Sequence, residues 1–283
     1  MLRTRFFLFL AVIFLATNPS WAANNSIQIK GSDTMVNLGQ AWAEAYMQKH
    51  KDAFVAVTGG GSGTGIAALL SGTCDIAESS RVMKQEELDQ ARSKGIVPKE
   101  YTVAIDGLAV AVNPSNPVSQ LTVDQLADIF TGKIKNWKEV GGKDSGIVLL
   151  SREVNSGTHV YFKEHILRKG DAKSTVEFVP EALLMSSSQA IVDEIAQNPS
   201  AIGYYGMGYI NKTQKAIAVA KDTSSPYATP TIENVVAKKY YVSRPLIFYT
   251  NGEPQGMVKE FIDFVFSAEG QQIVKDTDFV PVK

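Results

Sequence analysis

The chain contains few of the residues that support covalent or metal-based chemistry. Its 283 residues include one cysteine, Cys74, and three histidines. A single cysteine excludes an intramolecular disulfide, so the core has to supply the stability, and we expect Cys74 to be a small buried apolar residue. The spacing of His159 and His165 does not place both on one helical face in the manner of a metal pair. We therefore predict no metal and no other cofactor.

Strong net charge is also absent. Lysine and arginine together number 28 against 29 aspartates and glutamates, and the formal net charge is −1 at pH 7. A broad basic surface for nucleic acid is therefore not expected. Any bound anion has to be held by local dipoles and by one or two positioned cations, rather than by a general positive field.

Only the N-terminus carries a long apolar run. The run from Phe6 to Ala16 follows two arginines and is shorter than the roughly 20 residues of a membrane span. With the small residues that end it, this is the pattern of a secretory signal peptide over residues 1–22. Cleavage is expected near Ala22 or Ala23, where no cysteine could carry a lipid. We predict a monomer that diffuses freely in the periplasm, without stable membrane insertion.

Two strand–turn–helix patterns follow the signal peptide. Residues 26–30 alternate like a strand, and Leu38 and Trp42 then recur at helical spacing. Residues 53–57 repeat the strand pattern, and a second helix is predicted from Ile66. Repeated units of this kind are typical of α/β folds with a largely parallel sheet, in which ligands lie beyond the carboxyl ends of the strands.

Two β-rich runs are longer than a typical strand of about 5–6 residues. They cover residues 101–112 and 240–249, and Pro245 marks an edge or a bend in the second. Strands of this length can cross from one domain into another. Two such crossings imply that the first domain is discontinuous.

Three short motifs share a chemistry suited to an oxyanion. They are the glycine-rich run 58–65, residues 31–34 and residues 152–158, and each precedes a helical pattern. Glycines allow backbone N–H groups to converge, and a helix N-terminus adds unpaired N–H groups with partial positive charge. The planar guanidinium of Arg152 fits two oxygens of a tetrahedral anion, although alone it would be read as a surface arginine.

In order and spacing, these motifs resemble the periplasmic phosphate-binding components of Pst-type ABC importers. The resemblance is carried by the signal peptide and by residues 31–35, 59–65, 75–81, 152–158 and 201–204. It implies an α/β, two-lobed periplasmic binding protein fold, in which each lobe is a mixed, mostly parallel sheet flanked by helices and two hinge strands cross between the lobes. It also implies capture of inorganic phosphate for an ABC importer permease in the inner membrane, with no chemistry done on the ligand.

The resemblance further assigns the lobes and the binding residues. Lobe I is expected to comprise residues 23–106 and 245–283, and lobe II residues 107–244. The candidate phosphate-binding residues are Ser32, Asp33 and Thr34 after the first strand, Ser62, Gly63 and Thr64 in the glycine-rich turn, Ser80 and Arg81 after the third strand, and Arg152, Ser156, Gly157 and Thr158 in the second lobe.

One position departs from the family pattern. In the best-described branch an aspartate accepts the phosphate proton, whereas Ser80 stands in its place here. A pocket that prefers phosphate over sulfate should offer an acceptor that cannot donate, which an ionised carboxylate supplies. We predict that Asp33 has taken this role, with a helix N-cap as its alternative. Arg81 is expected either to contact phosphate or to pair with an acid such as Glu78.

Other functions remain open at this point. Sulfate, molybdate or tungstate would be preferred if the pocket contained only donors. A phosphatase or another hydrolase is disfavoured because Ser62 is followed two residues later by Thr64, which breaks the G-x-S-x-G pattern. The glycine-rich run also lacks the Gly-Lys-Ser/Thr ending of a P-loop. We therefore expect a binding protein and not an enzyme.

Overall fold

The structure is a computed structural model that describes residues 25–283, so the predicted signal peptide lies outside the described residues. The strands are β1 (Ser26–Gly31), β2 (Phe54–Thr58), β3 (Ile76–Ser79), β4 (Pro98–Val112), β5 (Gln120–Thr122), β6 (Val148–Arg152), β7 (Leu183–Met185), β8 (Ala201–Gly206), β9 (Lys215–Ala216), β10 (Ala218–Ala220) and β11 (Ser243–Asn251).

The α-helices surround these strands. They are α1 (Val36–Lys49), α2 (Ser62–Leu70), α3 (Gln85–Ser93), α4 (Val123–Phe130), α5 (Gly157–Phe162), α6 (Ser188–Gln197), α7 (Ile232–Val236), α8 (Gly256–Val265) and α9 (Ala268–Asp276). A π-helical turn over Lys163–Leu167 extends α5. None of the helices in residues 25–283 combines the length and the hydropathy that crossing a bilayer requires.

The main sheet runs in the order β2-β1-β3-β11-β4-β8-β6-β7, and β9 pairs with β4 beside this path. Strands β1, β2 and β3 are parallel to one another, and β6 is parallel to both β7 and β8. The two central strands, β4 and β11, run antiparallel to each other. The predicted α/β fold with mixed, mostly parallel sheets is therefore confirmed.

The central strands are the two long β-rich runs of the sequence. Residues 98–107 of β4 pair with β11, whereas residues 108–112 pair with β8. A single strand therefore connects the β2-β1-β3 side of the sheet to the β8-β6-β7 side. Residues 108–112 are apolar and fully buried, as expected for a strand with both faces covered.

Amphipathic helices close the core over this sheet. Helix α1 buries Leu38, Trp42 and Tyr46, which recur at helical spacing. The Trp42 indole N–H donates to the Gly270 carbonyl at 2.8 Å, so that this large side chain has its polar atom satisfied inside the core. On the other side, the ring of Tyr204 stacks on Phe162 at 3.9 Å between centroids.

Some boundaries differ from the sequence-based expectation. Helix α2 begins at Ser62 and not at Ile66, because the N–H of Gly65 already donates to the Gly61 carbonyl at 3.1 Å. Helix α5 begins at Gly157, where the Ser156 side chain caps it. Residues 62–65 of the glycine-rich run and residues 157–158 of the third motif therefore form the first turns of these two helices.

Candidate functional site

Three serine hydroxyls from separate chain segments meet beyond the carboxyl ends of β1 and β3. Ser32 Oγ donates to Ser80 Oγ at 3.0 Å, and the Ser80 N–H donates to Ser62 Oγ at 3.1 Å. All three residues are buried. Since β1 pairs in parallel with both β2 and β3, the segments that follow these strands emerge at the same edge. We call Ser32, Ser62 and Ser80 the serine cluster.

Gly157 brings the start of α5 against the serine cluster. A methyl group on Gly157 would lie 2.3 Å from Ser62 Oγ and 2.6 Å from Ser80 Oγ, closer than real Cβ contacts occur. Only glycine allows this approach. Its neighbour Thr158 meets the first motif, since Thr158 Oγ1 and Thr34 Oγ1 are 2.8 Å apart.

Ser156 acts on its own helix. Its Oγ accepts hydrogen bonds from the N–H groups of Thr158 at 3.2 Å and His159 at 3.4 Å, which is N-cap geometry. Burial, with the nearby Lys163 charge, lowers the pKa of His159 to about 4. The imidazole is therefore neutral at physiological pH, and its Nδ1 lies 3.3 Å from Ser151 Oγ.

Arg152 is buried at the end of β6, and each of its guanidinium nitrogens has an acceptor. Nε donates to the Met185 carbonyl at 3.2 Å, and Nη1 to Ser188 Oγ at 3.2 Å. Nη2 donates to the Ser186 carbonyl at 3.0 Å and forms an ion pair with Asp33 Oδ2 at 2.6 Å. Arg152 is 1% exposed, so this is no surface arginine.

Asp33 connects the first motif to both of the others. Its Oδ2 accepts from Arg152, and its Oδ1 accepts from the Gly60 N–H at 2.9 Å. The Tyr209 hydroxyl donates to its main-chain oxygen at 2.6 Å. The alternative role as an N-cap is wrong, because α1 begins after Met35 without a side-chain cap.

The glycine-rich turn contacts residues 152–158 through Asn155. The Asn155 amide nitrogen donates to the Gly60 carbonyl at 2.8 Å and to Thr64 Oγ1 at 3.2 Å. The Gly63 N–H in turn donates to the Asn155 carbonyl at 3.0 Å. Gly63 and Thr64 are therefore part of the contact across the site, outside the serine cluster.

Comparison with known proteins identifies the family. A family model described as a PBP superfamily domain matches residues 16–269. The phosphate-binding protein PstS of Bacillus subtilis is 38% identical over 261 residues, which cover 92% of this chain and 82% of that protein. The chain belongs to the PstS family. PstS of Pseudomonas aeruginosa is 32% identical, over 89% of this chain and 81% of its own length.

Solved structures place the PstS-family chain in the same fold. A phosphate ABC transporter substrate-binding protein from Clostridium perfringens, solved with bound phosphate, superposes with a TM-score of 0.81 at 35% identity, over 91% of this chain and 100% of that one. An ABC-type phosphate transport receptor from Vibrio cholerae gives a TM-score of 0.70 at 33% identity, over 90% and 99% of the two chains. The expected periplasmic binding protein fold is thereby confirmed.

The Arg81 side chain pairs with Glu87, an acid outside the candidate residues of this PstS-family chain. Its Nη1 donates to Glu87 Oε2 at 2.8 Å and to the Val82 carbonyl, and its Nη2 to Glu87 Oε1 at 2.6 Å. Pairing with an acid was one of the two alternatives expected for Arg81, and the structure shows such a pair, with Glu87 and not with Glu78 as the acid. Burial alone would raise the pKa of Glu87, but hydrogen bonds from Arg81 and the Lys84 N–H lower it.

Glu78 lies on β3, two residues before Ser80, and is fully buried. Neither carboxyl oxygen has a hydrogen-bond partner within residues 25–283. Burial, reinforced by the negative charge of Asp33, raises the pKa of Glu78 well above its usual range. Both influences favour the protonated form of the Glu78 carboxyl over the charged form.

Several residues of the site were not found from the sequence. They are Asp106, Asn155, Tyr209 and Arg244, which reach the candidate residues from distant segments or from within a motif. Arg244 and Asp106 form an ion pair at 2.8 Å with both side chains fully buried. The sequence did contain an indication of Arg244 and Asp106, since each is a charged residue inside a long β-rich run.

Across residues 25–283, no three His, Cys, Asp or Glu side chains come close enough to hold a metal ion.

Proposed function

We propose that this chain captures inorganic phosphate between two lobes and delivers it to the permease of an ABC importer. The relatives are named as phosphate-binding proteins and transport receptors, and the family is one of transport components and not of enzymes. The observation that carries the proposal is the convergence of three separate motifs on the serine cluster. Hydroxyls, a close glycine backbone and a buried guanidinium supply the donors that a tetrahedral oxyanion needs.

We assign residues 23–106 and 245–283 to lobe I and residues 107–244 to lobe II. The change of partner along β4 at Gly107, from β11 to β8, supports this boundary. The Arg152–Asp33 ion pair and the Asn155 contacts would then join the lobes in a closed form. Ligand-dependent closure about the two central strands is the expected motion, and the closed form is the one that the permease would recognise.

The proposed contacts come from both lobes. They are Ser32, Asp33, Thr34, Ser62, Gly63, Thr64 and Ser80 from lobe I, and Arg152, Ser156, Gly157 and Thr158 from lobe II. Arg81 is left out of this set because the hydrogen bonds of its side chain go to Glu87 and the Val82 carbonyl, and not to another candidate residue as those of Arg152 do.

Asp33 is proposed as the acceptor for the phosphate proton. Each of its carboxylate oxygens accepts one hydrogen bond in the structure, and an ionised carboxylate has about four lone-pair sites. Asp33 therefore has acceptor capacity left for a protonated phosphate oxygen. Sulfate, which carries no proton at neutral pH, would face lone pair against lone pair at this position.

We further propose that the chain is exported, by way of residues 1–22, to the periplasm and acts there as a monomer without nucleic acid. The charged n-region, the apolar run and the small residues before Ala22 support export. The near balance of positive and negative charge supports the absence of a nucleic-acid partner.

Calorimetry of ligand-stripped protein against phosphate, arsenate, sulfate and molybdate tests this function. We expect stoichiometric binding of phosphate and arsenate and no binding of sulfate. Asp33→Asn should weaken phosphate binding and relax the rejection of sulfate, whereas Asp263→Asn, an exposed aspartate on α8, is the matched control. A wild-type preference for sulfate or molybdate would overturn the proposed ligand, and unchanged discrimination in Asp33→Asn would overturn the acceptor role.

A further inference from the structure

Arg244 is held rigidly on β11 by one carboxylate. Its Nε and Nη2 donate to Asp106 Oδ2 at 3.0 Å and 2.8 Å. The other oxygen of Asp106 accepts from the Met207 N–H at 2.9 Å, which fixes the carboxylate in turn. Both ionic side chains are fully buried, so water does not compete for these bonds.

The same guanidinium reaches the two threonines of the candidate site. Nη2 of Arg244 lies 3.0 Å from Thr158 Oγ1 and 3.3 Å from Thr34 Oγ1. These hydroxyls come from different motifs and lie 2.8 Å apart. Arg244 therefore contacts both sides of the site from the central strand pair.

Free donor capacity distinguishes Arg244 from Arg152. All three nitrogens of Arg152 have protein acceptors, whereas Nη1 of Arg244 is buried and has no hydrogen-bond partner in the part of the chain that the structure describes. A buried charged donor without an acceptor is unfavourable and rare in native structures. An oxyanion at the two threonines would supply the acceptor that Nη1 needs.

The alternative is that the Arg244–Asp106 ion pair has only a structural role and stabilises the pairing of β4 with β11. Buried ion pairs are weak evidence for such a role, because replacing them by packed apolar residues is often neutral or stabilising. A purely structural pair would also not require a guanidinium that hydrogen-bonds to both Thr34 and Thr158.

We propose that Arg244 is a second anion-binding arginine of the site, whose Nη1 donates to the bound oxyanion while Asp106 positions the guanidinium. This inference rests on the proposed function. It gives the site two arginines from different strands, each with its own carboxylate partner, Asp33 for Arg152 and Asp106 for Arg244. The anion is then bound by hydrogen-bond donors of fixed direction. The two arginines add little net charge to the site, because each is paired with a carboxylate.

The double variant Asp106→Asn with Arg244→Gln tests the inference, because it removes the guanidinium and keeps the local net charge unchanged. The asparagine oxygen can still accept from the Met207 N–H. By calorimetry, we expect phosphate affinity to fall by about 10- to 100-fold, the range for a hydrogen bond to a charged group. Wild-type protein should bind the phosphate dianion, which predominates above the second pKa of phosphate, more tightly than the monoanion. This difference in affinity should be smaller in the double variant, because losing the guanidinium weakens binding of the dianion more.

Tyr240→Phe is the control for damage to the central strands. Its hydroxyl donates to the Leu108 carbonyl at 2.7 Å, close to the ion pair but without contact to the threonines. We expect it to lower the stability and to leave phosphate affinity and its pH profile unchanged. A folded double variant with wild-type affinity and pH profile would overturn the role of Arg244 and leave the proposed function intact. Wild-type protein that binds no phosphate would overturn both.

A measurement that leaves Arg244 and Asp106 in place tests the proposal even if the double variant does not fold. With nitrogen-labelled arginine, a direct hydrogen bond gives a scalar coupling between the guanidinium nitrogen and phosphorus. We expect such couplings from Arg244, assigned by difference from an Arg152→Lys sample. Couplings from Arg152 alone would overturn the proposal.

Discussion

Glu78 provides a test of the buried electrostatics through stability. Its carboxyl is fully buried and has no hydrogen-bond partner among the described residues, and burial together with Asp33 raises its pKa in the folded protein. In the unfolded chain the same group ionises near its ordinary pKa of about 4.3. The two states therefore bind different numbers of protons above this pH.

The direction of the effect follows from this difference. Below the unfolded pKa both states hold the proton, and the contribution of Glu78 to stability is fully present. As the pH rises, the unfolded state releases a proton that the folded state keeps, so the unfolding free energy falls by up to about 1.4 kcal/mol per pH unit. The loss ends at the raised folded pKa, where both states are ionised.

Glu78→Gln removes this titration and keeps the shape of the side chain. We expect the stability of the variant relative to wild type to be constant below the unfolded pKa, and then to increase with pH until the raised folded pKa of Glu78 is reached. Urea unfolding followed by circular dichroism at a series of pH values measures it, in buffers without phosphate because ligand binding would itself stabilise the fold. Glu86→Gln, at an exposed position of α3, is the control. It measures how the pH dependence of the unfolding free energy changes when an exposed carboxylate is removed. Parallel curves for wild type and Glu78→Gln would refute the reasoning.

Three further perturbations test separate parts of the structure. Gly157→Ala places a methyl group 2.3 Å from Ser62 Oγ, so phosphate affinity measured by calorimetry should fall at least about 10-fold, while wild-type affinity would contradict the close approach. Thr122→Ala removes the N-cap of α4 and should lower the unfolding free energy by about 1 kcal/mol in urea titrations without changing phosphate affinity. Burial raises the pKa of the Cys74 thiol to about 12, so iodoacetamide should label it only after unfolding, and rapid labelling of folded protein would disprove its burial.

Local features of the fold were predictable because they depend on near neighbours in the chain. Alternation over residues 26–30 and the spacing of Leu38 and Trp42 predict β1 and α1, and both are present. The short strands β5, β7, β9 and β10 and the helices α7 and α9 were missed. Strands of two or three residues are too short to show a periodicity, and pairing with a neighbour defines them.

The sequence by itself determined which segments carry anion-binding chemistry and which two runs form the central strands. Glycine placement, helix-start residues and strand length are all readable over a few residues. Only the tertiary structure decided the ionic partners. Arg152 binds Asp33 across 119 positions of the chain, Arg244 binds Asp106 across 138, and Arg81 takes Glu87 and not Glu78. Such pairs depend on sheet order and strand register, which bring distant charges together inside a core where an unpaired charge is strongly unfavourable.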